Sequence, residues 1–213
     1  MHKRCYPAAA MLALCLSGTA MALGPVDGEV GLQWWNTQFD ADILDGELDV
    51  GTWSGFGELW LDQKWGLRGA FYQSDLEHED LDNEQRFNID LKRRLLSPTD
   101  NTFLALGAGW ESIDLSSGGR SDGVRLVLEG RVGLAGFVYL YGQNAWIPWL
   151  SESDGLSDLS GNEFEVGIGF EPLPFLSLRA GYRDFRLDYD YDTRDGSESS
   201  RSKGLLLGAG VHW

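Results

Sequence analysis

The chain has 213 residues and carries 17 Lys plus Arg against 33 Asp plus Glu, a formal net charge of −16. That balance argues against nucleic acid as a partner, because its binders need a basic face to displace phosphate counterions. The 43% hydrophobic and 12% aromatic content excludes a disordered acidic chain.

The N-terminus has the three ordered parts of an export signal. His2, Lys3 and Arg4 form a short positive region, Ala8 to Leu16 an apolar run, and Ala20-Met21-Ala22 a small-x-small cleavage pattern. The expected division is therefore a signal peptide over 1–22 and a mature domain over 23–213 that begins at Leu23. Cys5 and Cys15 leave with the signal, so the mature chain forms no disulfide. Leu14 before Cys15 is not the small residue that a lipidation motif wants. Loss of Lys3 and Arg4 takes the net charge from −16 to −18.

No apolar stretch in 23–213 approaches the 18 residues of a membrane helix. Period-2 alternation recurs instead. Ten strands are predicted, near 29–40, 55–63, 67–75, 84–96, 102–113, 123–133, 137–147, 163–171, 175–188 and 203–213. Most have the length of a tilted membrane strand. The connectors alternate: 64–66, 97–101, 134–136 and 172–174 are short, whereas 41–54, 76–83, 114–122, 148–162 and 189–202 are long. Short turns on one side and long loops on the other mark an outer-membrane barrel of Gram-negative type. Pro25, Pro98, Pro148, Pro172 and Pro174 all fall outside the expected strand interiors, where a missing N–H would break a ladder. The acidity follows the long loops: segment 75–85 holds Asp75, Glu77, Glu79, Asp80, Asp82 and Glu84.

Alternation also separates two faces. Phe87, Ile89 and Leu91 oppose Asn88, Asp90 and Lys92; Leu126, Leu128 and Val132 oppose Arg125, Glu129 and Arg131. Trp53, Trp65, Trp110, Trp146, Trp149 and Trp213 sit near strand ends, where aromatic girdles belong. The fold class is all-β, an up-and-down antiparallel transmembrane β-barrel of about ten strands, with eight as the alternative.

The C-terminal segment GLLLGAGVHW, with Leu205, Leu207, Ala209, Val211 and Trp213 at every second position, resembles the closing strand of bacterial outer-membrane barrels. The resemblance is to small barrels, OmpA-like and OmpX-like in kind. It implies that the barrel-assembly machinery reads this strand. Those barrels have eight strands, and the count of ten departs from them.

The same alternation sends Glu58, Asp62, Asp90, Glu111, Glu129 and Glu165 into the lumen with Arg68, Lys92, Arg94, Arg125, Arg131, Arg179 and Arg183. Buried charges must pair or stay hydrated. A ten-strand lumen is little wider than one that side chains fill, so a salt-bridged plug is favoured over a pore. Asp188, Asp190, Asp192, Asp195 and Glu198 invite divalent cations, but Thr193 stands where a calcium loop needs glycine. Of the histidines after the signal, His212 falls at the end of the last strand. His78 lies in an acidic loop with Glu77, Glu79 and Ser74 nearby, and is the one candidate for hydrolytic chemistry. A lone loop histidine is ordinarily solvated, so the expectation is a non-enzymatic barrel with a structural or surface-interaction role. A narrow diffusion channel and a hydrolase using His78 are the alternatives. No residue pattern calls for a cofactor. The partners expected are outer-membrane lipids and lipopolysaccharide, the assembly machinery, and divalent cations at the acidic loops.

Overall fold

A computed structural model describes residues 26–41, 48–75, 85–114, 119–153, 155–191 and 197–213. The expected signal peptide, His78 and most of the acidic segment 75–85 lie outside these residues, as do Asp192, Thr193 and Asp195. The described chain is ten strands: β1 (Val26–Ala41), β2 (Leu48–Leu61), β3 (Trp65–Asp75), β4 (Gln85–Thr99), β5 (Thr102–Asp114), β6 (Arg120–Ala135), β7 (Val138–Leu150), β8 (Leu156–Leu173), β9 (Leu176–Tyr191) and β10 (Ser197–His212). Each pairs antiparallel with the next, and β1 pairs with β10, so the sheet closes with no free edge. The ten-strand expectation holds, and the eight-strand alternative does not.

Closure is completed at the chain ends. Gly28 N donates to Trp213 O at 3.1 Å, and Trp213 N donates to Gly28 O at 3.0 Å. The Trp213 indole lies over Gly28, where a Cβ would come within 2.3 Å of the ring. Only glycine leaves room for it.

The start of β1, the residue Trp213 and the four tight turns share one end, here the turn end; the opposite end is the loop end. The first turn differs from expectation. It runs through Asp62, Gln63 and Lys64, with φ of 50° at Asp62 and 52° at Gln63 and Lys64 N donating to Leu61 O at 3.0 Å. Two consecutive left-handed residues match the twist of the flanking strands. Asp tolerates this region because its short side chain hydrogen-bonds locally. Asp62 is therefore an exposed turn residue, not a lumen residue.

Three prolines also sit differently. Pro98, Pro148 and Pro172 lie within β4, β7 and β8. Each occupies a bulge where two residues face one on the partner strand: 97–98 opposite 103, 147–148 opposite 125, and 171–172 opposite 177. The ladder is already interrupted there, so the missing N–H costs little.

The strands reach further toward the loop end than alternation suggested. β2 starts at Leu48, β8 at Leu156 and β10 at Ser197, against expected starts of 55, 163 and 203. The reason is an inversion of polarity along the barrel wall. On β9, Leu178, Ala180 and Tyr182 face outward while Arg179 and Arg183 are buried inside. From Asp184 onward the pattern reverses: Arg186 is exposed, and Phe185, Leu187 and Tyr189 are buried inside. The lower barrel is built for lipid, polar in and apolar out. The upper barrel is built for water, with an apolar interior of Trp35, Ile113, Ile147, Leu150, Leu156, Leu159, Phe185, Leu187, Tyr189 and Leu206.

The outward apolar band contains Leu32, Leu67, Phe71, Ile89, Leu91, Leu106, Leu128, Val166, Ile168, Leu205 and Leu207, all exposed to the surroundings. Trp65 and Trp213 face out at its turn-end border, and Trp53, Trp110, Trp146 and Trp149 toward the loop end. A wall this apolar is stable only against lipid.

Candidate functional site

The interior is divided into three levels. Toward the loop end lies the apolar cluster. The middle holds the charges. At the turn end Trp60 and Phe103 meet edge-on with centroids 5.4 Å apart, and the Arg94 guanidinium lies 4.2 Å from the first ring and 4.1 Å from the second.

Glu58, Arg68, Asp90, Lys92, Glu111, Arg125, Glu129, Glu165, Arg179 and Arg183 are all buried inside the barrel. Arg94 and Arg131 point inward at the turn end and are partly exposed. Arg131 stacks 4.0 Å over Tyr139 and reaches Glu171 at 3.9 Å. The Tyr139 ring in turn lies over Gly169, where a Cβ would come within 2.0 Å of it.

The charges join into two main groups. In the first, Glu163 accepts from Arg86 Nη2 at 2.8 Å, and its carboxylate faces Arg183 Nη2 at 2.7 Å and Arg125 Nη2 at 3.3 Å. Glu111 accepts from Arg86 Nη2 at 2.8 Å and from Arg125 Nη1 at 2.6 Å. Asp90 completes the cluster, 3.3 Å from Arg125 Nε. In the second, Lys92 Nζ donates to Glu58 Oε1 at 2.5 Å and to Glu129. Nearer the turn end Arg179 Nη2 and Ser177 Oγ both donate to Glu29.

The first group spans the lumen. β4 and β8 lie on opposite sides of the ring, yet Arg86 on β4 reaches Glu163 on β8. The same guanidinium lies 3.4 Å from the Phe185 ring centroid on β9. From the far wall Arg183 stacks 4.0 Å over Tyr72 on β3. Two arginines from opposing walls thus cross in the middle of the barrel, each ion-paired and stacked on an aromatic ring.

Arg86, Glu163 and Glu29 were not among the residues expected inside. Each continues a parity already in view: Glu163 precedes Glu165 by two, and Arg86 precedes Asn88 by two. All three lie at or near the starts of the expected strands, where alternation carries the least information. With Arg86 and Glu163 included, the buried charged side chains among the described residues are six carboxylates (Glu58, Asp90, Glu111, Glu129, Glu163 and Glu165) and six cations (Arg68, Arg86, Lys92, Arg125, Arg179 and Arg183). The interior charge cancels, as a low-dielectric interior requires.

The closing strand behaves differently. Leu205, Leu207, Ala209, Val211 and Trp213 all face outward along the seam with β1. His212 points inward at the turn end. Among the described residues no group of three or more His, Cys, Asp or Glu is arranged to hold a metal ion. Of the aspartates considered for calcium, Asp188 and Asp190 lie on the outward side of β9, and Asp188 accepts from Arg186 Nε at 2.8 Å.

No protein-family model and no curated protein matches the chain. Solved structures do. The outer membrane protease OmpT of Escherichia coli is similar over 89% of this chain and 93% of its own, at 14% identity and a TM-score of 0.52. An outer membrane channel from Pseudomonas putida F1 aligns over 91% of this chain and 96% of its own, at 14% identity and a TM-score of 0.47. Neisserial surface protein A aligns over 88% and 97%, at 11% identity and a TM-score of 0.46. Identities this low carry the architecture and not an activity: the chain has the fold of the small bacterial outer-membrane β-barrels.

Proposed function

We propose that the protein is a closed outer-membrane barrel with a structural or surface-interaction role. In this reading its loop end rises above the outer leaflet as a rigid platform for the acidic loops. The carrying observation is the Arg86–Glu163 bridge across the lumen, beneath an apolar cluster around Ile113, Ile147 and Leu187. A hydrated ion would have to break the first and dehydrate to pass the second, and either step is costly. The neutral interior supports the same reading, since a selective pore ordinarily carries an excess of one sign.

A narrow diffusion channel is the second reading. It draws on buried polar atoms with no hydrogen-bond partner among the described residues, including both Asp90 carboxylate oxygens, Gln33 Nε2 and Asn88 Nδ2. Such groups favour water. Single-channel recording in planar bilayers separates the two. The plugged barrel gives no steady opening, and a reproducible ohmic conductance from the folded chain would replace it with the channel. The non-enzymatic reading rests on the solvated character expected of His78, and a hydrolytic activity abolished by His78→Ala would overturn it.

A further inference from the structure

At the turn end of the lumen two arginines share one aromatic ring. Arg94 on β4 lies 4.1 Å from the Phe103 centroid, and Arg131 on β6, the cross-strand partner of Phe103, lies 5.7 Å from it. The two charges are thus no further apart than about one Debye length, roughly 10 Å, and they repel each other. Deeper in the barrel Arg86, Lys92, Arg125, Arg179 and Arg183 each meet a carboxylate at hydrogen-bond distance. The mouth pair does not. Among the described residues Arg94 forms no ion pair, and its Nε and Nη1 have no hydrogen-bond partner. Arg131 has Glu171, whose oxygen stays 3.9 Å away. Of the other carboxylates at this rim, Glu29 is taken by Arg179 and Ser177. Asp27, exposed at the start of β1, forms no ion pair with either arginine.

The surroundings are short of acceptors. Arg94 Nε and Nη1, Tyr139 Oη, Tyr141 Oη and Arg179 Nε are all buried with no hydrogen-bond partner among the described residues, and each can donate. Tyr139 itself is only 1% exposed. Water accepts a hydrogen bond but leaves two neighbouring positive charges uncompensated; an anion supplies both. The recess is also held in shape. Arg94 rests on Trp60 at 4.2 Å as well as on Phe103, and Arg131 rests on Tyr139 at 4.0 Å, so neither side chain gives up much freedom on meeting a ligand. Deeper in, Lys92 joins Glu58 on β2 to Glu129 on β6 and closes the recess. A ligand therefore enters from the turn end, where the Arg131 side chain is 17% exposed.

We propose that this recess binds the phosphate group of a small solute between Arg94 and Arg131. A phosphate has oxygens enough to meet two guanidinium forks and a second charge to neutralise both. Ordinary N–H···O bonds of about 2.9 Å on either side of it suit a gap of this size. A carboxylate lacks the second charge, and Glu171 has not closed on Arg131. In an outer-membrane barrel the short turns face the periplasm, so the solute comes from that side. The inference uses the barrel fold but not the state of the lumen, so conductance does not test it.

The test is equilibrium dialysis of the chain, folded in an uncharged maltoside detergent, against radiolabelled inorganic phosphate at constant chloride. Wild type should take up phosphate saturably, about one per barrel. Arg94→Gln/Arg131→Gln should bind at least tenfold more weakly. Arg93→Gln removes the same charge from the next residue, which faces outward beside Trp65, and should bind as wild type does. Heat-modifiable gel migration checks that each variant is folded. If the double variant does not fold, Arg94→Lys and Arg131→Lys serve instead, because they keep the charge and lose the fork, and each should weaken uptake severalfold. Absence of saturable uptake by wild type would overturn the proposal, as would unchanged uptake by the folded Arg94 and Arg131 variants or an equal loss in Arg93→Gln. Two competitors fix the class of ligand. Acetate that displaces phosphate at equal concentration would make this a carboxylate site. Short-chain phosphatidylglycerol that binds where inorganic phosphate does not would make it a lipid headgroup site. Either result refutes the assignment.

Discussion

Replacing Glu163 with Gln is the sharpest probe of the interior. The substitution keeps the volume and removes one charge from a carboxylate faced by Arg183 at 2.7 Å, Arg86 at 2.8 Å and Arg125 at 3.3 Å. At an effective dielectric near 20, one unit pair with charge centres about 4 Å apart is worth ~4 kcal/mol. Repulsion among the three cations and the desolvation of all four groups offset much of that sum. Breaking a buried pair by removing one partner costs about 3–5 kcal/mol. Gln still accepts one hydrogen bond, which places the expected loss near the lower end, ~3 kcal/mol. Urea unfolding of the chain in detergent micelles, followed by tryptophan fluorescence and by the heat-modifiable band, measures it. Arg183 has Glu163 as its ion-pair partner, so Glu163→Gln/Arg183→Met removes both members together. This double variant should be more stable than the sum of the two single losses by roughly 1–3 kcal/mol, the coupling typical of contacting charges. A folded Glu163→Gln barrel within ~0.5 kcal/mol of wild type would refute the reasoning, because it would mean that water already screens the cluster.

Two further substitutions test how the barrel is packed and closed. Gly169→Ala should lower stability by about 1–3 kcal/mol, as overpacking does, because its Cβ would meet the Tyr139 ring at 2.0 Å and displace the Arg131 stack; Tyr139→Ala in the same chain should recover part of the loss in the same urea titration. A chain ending at His212 loses both backbone bonds to Gly28 and the indole that covers it, so the yield of heat-modifiable protein should fall severalfold, and an unchanged yield would show that closure does not depend on Trp213.

Much of this molecule is legible without coordinates because a lipid-facing wall imposes period two wherever it occurs. Phe87, Ile89 and Leu91 declare the outward face of β4 by themselves, and the terminal run from Leu205 to Trp213 declares the closing strand. Alternate side chains of a strand must point to opposite faces, so the inward charges Asp90, Lys92, Arg125 and Glu129 follow from their outward neighbours. Alternation stops being informative where the environment changes. Beyond Asp184 the outside is water and the inside is a core, so the upper strand segments read as polar loops until their partners are known. For that reason β8 and β10 begin seven and six residues earlier than alternation indicates, and Glu163 and Arg86 were hidden at expected strand ends. Which charges meet is a property of closure alone. Arg86 and Glu163 are 77 residues apart in the chain, and they touch because the ring of ten strands brings opposite walls within reach of one arginine side chain. The turn at Asp62 was decided in the same way: its left-handed backbone is set by the twist and register of β2 and β3, which a local sequence without the usual Asn-Gly pair does not announce.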